Sequence, residues 1–128
     1  MVETNQQFNI GFEEHGIEVS HFMPDDGSGV YLKGIFIPAG KMVKNHSHTF
    51  THKSFLAFGE VAIVCDGSPP IKVCGPTALT IKQGVQHEIN AITDAYWVCI
   101  HATDELDLEK IDHSLVYKDF EGGSKWHG

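Results

Sequence analysis

Residues 30–59 read VYLKGIFIPAGKMVKNHSHTFTHKSFLAFG, and the punctuation of this stretch decides the fold. Val30–Ile37 is an apolar, β-branched and aromatic run, stopped by Pro38-Ala39-Gly40. Met42–His48 and Thr49–Phe58 follow and close at Gly59. Runs this short, bounded by glycine and proline, suit strands, because a helix needs a longer uninterrupted stretch to offset its nucleation. The rhythm continues downstream. Val61–Cys65 meets Asp66-Gly67-Ser68-Pro69-Pro70, whose Asp-Gly pair tolerates the positive φ of a tight hairpin turn. Ile71–Cys74 stops at Gly75-Pro76, Thr77–Lys82 at Gln83-Gly84, Gln86–Ala91 at Thr93-Asp94, and Ala95–Ala102 completes the set. About eight short strands at roughly 8–12-residue spacing point to an all-β antiparallel sandwich or barrel. No stretch within the block has room for a crossover helix, which excludes a parallel α/β sheet.

Around this block the chain divides three ways. Residues 1–29 are a polar N-terminal extension or first strands, ending in the turn cluster Pro24–Gly29. Residues 30–102 are the barrel, and residues 103–128 an acidic tail. In the tail Thr103 is a candidate helix cap, with Asp104 and Glu105 in the first turn. Leu106, Leu108, Ile111 and Leu115 supply an imperfect apolar stripe, so a short C-terminal helix is expected.

Composition narrows the function classes. The 128 residues carry a formal net charge of −8, and all nine cationic residues are lysines. A nucleic-acid surface needs a positive footprint, commonly with arginine forks, so nucleic-acid binding is not expected. No apolar run approaches the roughly 20 residues that cross a bilayer, and residues 1–12 lack the pattern of a secretion signal. Three cysteines (Cys65, Cys74, Cys99) are too few for a disulfide scaffold. A cytoplasmic location follows as the expectation. Cys65 and Cys74 flank one hairpin and are candidate neighbours, with buried thiols favoured over a bridge.

Nine histidines in so small an acidic chain are the notable surplus. His46, His48 and His52 have one parity, so if Met42–Phe58 stays extended their rings point to one side. Three converging neutral imidazoles suit a late first-row divalent metal. His87, opening a later strand, is the fourth candidate ligand. His15, His21, His113 and His127 sit among polar residues and read as surface histidines.

The segment Gly40-Lys41-Met42-Val43-Lys44-Asn45-His46-Ser47-His48-Thr49-Phe50-Thr51-His52, running on to Gly59, has the form G-x5-H-x-H-x3-H-x6-G. It resembles the first motif of the cupin superfamily at every spacing, with His52 where the family usually has Glu. Gly75, Gly84, His87 and Asn90 match the second cupin motif more loosely. Lys82 replaces its proline, the interval after Gly75 is one residue longer, and Asn90 comes one residue early. The resemblance covers roughly residues 30–102.

The resemblance implies a small jelly-roll β-barrel holding a divalent metal, with His46, His48 and His87 matching the family's histidine ligands and His52 at the glutamate position. Fe, Mn, Ni, Cu and Zn all suit imidazole, whereas Mg and Ca prefer oxygen. Exchanging the glutamate for a neutral ring leaves the centre doubly rather than singly positive, which favours a small anionic ligand. Four protein ligands on an octahedral ion would also leave two adjacent positions open.

Groups for acid–base work are few. Trp97, Cys99 and His101 share one face of the last strand; if it is the inner face, His101 is a candidate catalytic group, and if not, Tyr96, Val98 and Ile100 fill the core. Tyr31 and Gln86 are weaker candidates, and Glu88 is expected to point outward. Two functions compete. The cupin resemblance implies a metal-dependent enzyme, a dioxygenase-like oxidoreductase or an isomerase or lyase acting on a small anionic substrate. The alternative is a non-catalytic assembly module. The string Cys99-Ile100-His101-Ala102-Thr103-Asp104-Glu105 is similar to small cupin-like proteins of tailed bacteriophages, which implies a virion component with other virion proteins as partners. Cupins also tend to dimerise through strand faces, and the parity Lys53, Phe55, Ala57 offers a patch for a homodimer or larger homo-oligomer, with core packing the alternative for Phe55.

Overall fold

The computed structural model describes residues 7–12, 16–24, 27–47, 51–65, 68–82, 86–103, 106 and 115–118. Among them are eleven strands and no helix. In order they are β1 (Gln7–Phe12), β2 (Ile17–Phe22), β3 (Val30–Ile37), β4 (Met42–Ser47), β5 (His52–Phe58) and β6 (Glu60–Cys65). Then come β7 (Ile71–Cys74), β8 (Thr77–Ile81), β9 (Gln86–Ala91), β10 (Ala95–Ala102) and β11 (Leu115–Lys118). Six form one sheet in the order β1-β2-β3-β10-β5-β8, and five form a second in the order β11-β4-β9-β6-β7. Every pairing is antiparallel. The chain is all-β, as the strand rhythm leads one to expect, and its two antiparallel sheets form the jelly roll that the cupin resemblance implies.

The two sheets bury their inner faces against one another. Ile17, Val19, Ile35, Ile37, Leu56, Ala95 and Trp97 come from the six-stranded sheet, and Val43, Val61, Ile63, Ile89 and Ala91 from the other, in a single apolar cluster. Within the six-stranded sheet the register sets Val19 and Trp97 on either side of Ile35, and Leu56 beyond Trp97. Trp97, Ile35 and Leu56 are wholly buried. A fully buried residue of this size contributes roughly 1.5–3 kcal/mol, so this half of the interior holds the sheets together. One extra residue, Ala57, interrupts the β5–β10 ladder, where Tyr96 faces Phe58 but Trp97 faces Leu56. Such a bulge keeps Leu56 inward while turning Phe58 out.

Two expectations are corrected. Met42–Phe58 is not one extended segment: β4 belongs to the five-stranded sheet and β5 to the six-stranded one, so parity cannot be counted across residues 48–51. Leu115, counted in the apolar stripe of the expected tail helix, instead opens β11 and faces Ser47 on β4, where an edge of unpaired backbone groups accepts another strand. Thr103 donates its N–H to the Gly29 carbonyl at 2.8 Å, one step past the β3–β10 ladder. Apart from Thr103, Leu106 and Leu115, the expected helix positions lie outside the described residues. No helix is long and apolar enough to cross a membrane among the described residues.

Two glycines test the turns. Gly40 and Gly59 both have positive φ, 83° and 98°. A Cβ on Gly40 would meet nothing, whereas one on Gly59 would run into the Asp94 carbonyl and stand 2.7 Å from the Ala95 Cα. Gly40→Ala should therefore cost about 1 kcal/mol for the left-handed backbone alone. Gly59→Ala should cost about 3 kcal/mol or more, since rigid backbone blocks the methyl. Equilibrium denaturation of the two variants checks this, and equal losses would show that the Gly59 contact relaxes freely.

Candidate metal centre

The inner face of the six-stranded sheet changes character along its strands. Beyond the apolar half, β2 places His21 inward, β3 Lys33 and Tyr31, β10 Cys99 and His101, and β5 Ser54, all of them buried. The register lines four of these up in one row: His21 faces Lys33, Lys33 faces Cys99, and Cys99 faces Ser54. Opposed residues of an antiparallel pair share a face, so the row is a property of the backbone and not of chosen rotamers. One pleat further, Tyr31 faces His101.

The polar groups engage one another. His21 Nδ1 and Tyr31 Oη share a hydrogen bond of 2.6 Å, the imidazole tautomer setting which of them donates. The two rings stack at 5.9 Å, and His101 meets Tyr31 edge-on at 5.8 Å. The Ser54 hydroxyl is wholly buried and has no hydrogen-bond partner among the described residues. A dry hydroxyl of this kind costs roughly 1–3 kcal/mol unless something satisfies it. Lys33 is 2% exposed, which is rare for an ammonium-bearing side chain.

The other sheet contributes His87, 5% exposed, which shares its face with the core residues Ile89 and Ala91. On either side of it the register sets Asn45 of β4 and Cys65 of β6. Glu88 takes the opposite face, as its parity requires, and reaches Lys44 across the strands at 3.6 Å. Asn90 Nδ2 donates to the Ala62 carbonyl at 3.1 Å, tying β9 to β6. Only residues 48–51 join β4 to β5, so the Ser47 end of one sheet and the His52 end of the other lie at the same rim. His87 thus belongs to the polar end of the interior.

The candidate ligands fall as follows. His52 opens β5, two residues before Ser54 and therefore at the same strand parity. His46 lies on β4 opposite Gln86 of β9 and Val116 of β11, so the register gives it the parity of the Lys44–Glu88 pair and not that of Asn45–His87. His48 lies outside the described residues, as do the side chains at 46 and 52. Among the described residues no three histidine, cysteine or carboxylate side chains form a metal-binding group.

The alternatives left open by strand parity are decided here. Trp97, Cys99 and His101 face inward, so His101 is an interior histidine and Tyr96, Val98 and Ile100 turn outward. Tyr31 is also inside. His21, read from its polar neighbours as a surface residue, is instead buried, and Lys33 was missed altogether. The signal for both was present in the alternation Ile17-x-Val19-x-His21 and Tyr31-x-Lys33-x-Ile35-x-Ile37. Cys65 and Cys74 are not neighbours: Cys65 faces His87 and Cys74 faces Glu60, at opposite ends of their hairpin. None of the three cysteines is in a disulfide, and Cys74 is exposed, not buried.

No protein-family model matches the sequence, and no curated protein matches it. Solved structures do. The chain is similar to ectoine synthase from P. lautus at 17% identity and a TM-score of 0.65, covering 99% of this chain and 92% of that one. An RmlC-like cupin from Shewanella frigidimarina aligns at 16% identity and 0.57, covering 78% and 85%. A cupin-2 domain from Rhodospirillum rubrum aligns at 15% and 0.62, covering 84% and 76%. Identities this low carry the fold and not the chemistry. Two facing antiparallel sheets, a polar interior at one rim and these neighbours agree: this chain has the cupin fold.

Proposed function

We propose that the chain is a divalent transition-metal-binding cupin enzyme acting on a small anionic substrate, as a dioxygenase-like oxidoreductase or as an isomerase or lyase. The observation that carries the reading is the burial of His87 at the rim where the opposite sheet presents His21, Tyr31, Lys33 and His101. Perturbable groups gathered inside a barrel, away from water, are where chemistry is expected. The donor chemistry suits the ion: His87 is buried on the inner face, and imidazole is a good donor for Fe, Mn, Ni, Cu or Zn. His48, His52 and His87 would hold it, with His46 the fourth candidate although its register position has the parity of Glu88. When bound, such an ion supplies Lewis acidity and open coordination positions. The chain's own part is proton management, since His21 and Tyr31 hold one proton between Nδ1 and Oη in a dry interior, with His101 against the Tyr31 ring edge.

The outer face of the six-stranded sheet supports a homodimer. Phe55 and Phe58 are 36% and 48% exposed, and Phe58 stacks on Tyr96 at 6.1 Å. Burial pushes the Tyr96 phenol up from its ordinary value, a Ser20 hydrogen bond opposes this, and the Glu18 charge adds to it. The face therefore carries no phenolate at neutral pH. The second reading, a non-catalytic assembly protein or virion component, shares this surface.

Metal content of the purified protein tests the centre. His52→Ala and His87→Ala should each lower metal affinity at least about tenfold, with His46→Ala and His48→Ala following. Asn45→Ala, the register partner of His87, should retain metal. Loss in Asn45→Ala with retention in His46→Ala would move the ligand assignment, and metal unchanged in all four histidine variants would reject the centre. Chelation separates the readings: an enzyme loses turnover with a panel of carboxylic and diketo acids, whereas an assembly protein loses only thermal stability.

A Phe55→Glu, Phe58→Glu double variant should run as a monomer in light scattering, since buried unpaired carboxylates oppose association. An unchanged mass would place the interface elsewhere.

A further inference from the structure

The row His21–Lys33–Cys99–Ser54 crosses four strands, and the Tyr31 hydroxyl lies one pleat away with its Oη on His21. None of these side chains belongs to the candidate metal ligands. The lysine offers three N–H donors at the end of a side chain that strands on both sides enclose, and the serine and tyrosine offer one hydroxyl each. The Ser54 hydroxyl lacks a hydrogen-bond partner among the described residues although it is wholly buried. Lys33 is 2% exposed, and a low-dielectric enclosure strengthens the attraction between an ammonium and an anion beside it. The apolar half beneath the row, with Ile35, Trp97 and Leu56, suits the carbon part of a ligand.

We propose that Lys33, Ser54 and Tyr31 are the binding site for the carboxylate of a small organic acid inside the barrel, with His21 positioning the Tyr31 hydroxyl. Lys33 supplies the charge, Ser54 Oγ a donor that finds its acceptor only when the acid is bound, and Tyr31 Oη the third contact. The site deepens the reading of an enzyme for anionic substrates by naming the residues that take the anionic end. Its own residues bind no metal in that reading, so the two can fail separately.

The test is calorimetric titration and thermal shift of the full-length protein, as purified and after chelation, with malonate as the carboxylate probe. Malonamide is the uncharged control, and inorganic phosphate the test of a bare anion site. Malonate should bind and raise Tm in both forms, since a ligand of the native state stabilises it by mass action, and malonamide should not. Lys33→Met should weaken malonate about tenfold or more, the usual effect of losing a charged hydrogen-bond donor, with metal content unchanged. Ser54→Ala should weaken it about threefold to tenfold and Tyr31→Phe by a similar factor, each removing one neutral hydrogen bond. Malonate binding at wild-type affinity in Lys33→Met overturns the site. If Lys33→Met does not fold, Ser54→Ala decides, and an unchanged affinity there overturns it as well. Binding of phosphate but not malonate overturns the organic-acid assignment, and no binding of either overturns the site. A wild type that carries no metal yet binds malonate through Lys33 upholds this site and removes the metal reading. A metal-loaded wild type that ignores malonate does the reverse.

Discussion

The register that locks β2, β3, β10 and β5 together is the constraint on which the rest depends. Side chains alternate along each strand, so a slip of one residue would turn His21, Lys33, Cys99 and Ser54 to solvent and drive Phe36, Tyr96 and Val98 inward. What prevents the slip is the other half of the same strands. Ile17, Val19, Ile35, Ile37, Leu56 and Trp97 are buried with Val43, Val61, Ile63 and Ile89, and a one-residue slip would turn them away from that cluster. The polar groups are carried inside by strands whose apolar residues have already set the alignment. Apolar packing is thus concentrated at one end of the barrel and the buried polar groups at the other.

That division explains how a buried lysine, three buried histidines and an unsatisfied serine hydroxyl are tolerated in so small a chain. Each is costly away from water, and together they draw on the burial of the apolar half. The short hydrogen bond between His21 and Tyr31 offsets part of this by satisfying two polar atoms at once. Residues that cost stability without improving packing are commonly the functional ones.

Much of the barrel was legible in one dimension. β3, β7, β9 and β10 run between the bounds that glycine, proline and Asx punctuation sets, and β6 and β8 differ by a single residue. Pro38-Ala39-Gly40, Gly59 and Gly75-Pro76 stop strands through local backbone geometry, which needs no knowledge of the fold. His21 was misread because its sequence neighbours are polar, whereas burial is settled by what the opposite sheet covers. The condition for His46, His48 and His52 to share a face, an extended Met42–Phe58, is not met for a related reason: nothing local says that β4 and β5 belong to different sheets.

Strand boundaries, the all-β class and the motif that resembles the cupins were therefore determined by the order of residues alone, through φ preferences and two-residue alternation. Long-range pairing decided the rest. It chose the inner face of β10 and so the place of His101. It set Asn45 opposite His87, added β11 to the free edge of β4, and lined Lys33 up with His21 and Cys99. Alternation offers two faces and gives no reason to prefer either; only the apolar surface of a second sheet, packed against one of them, breaks the tie.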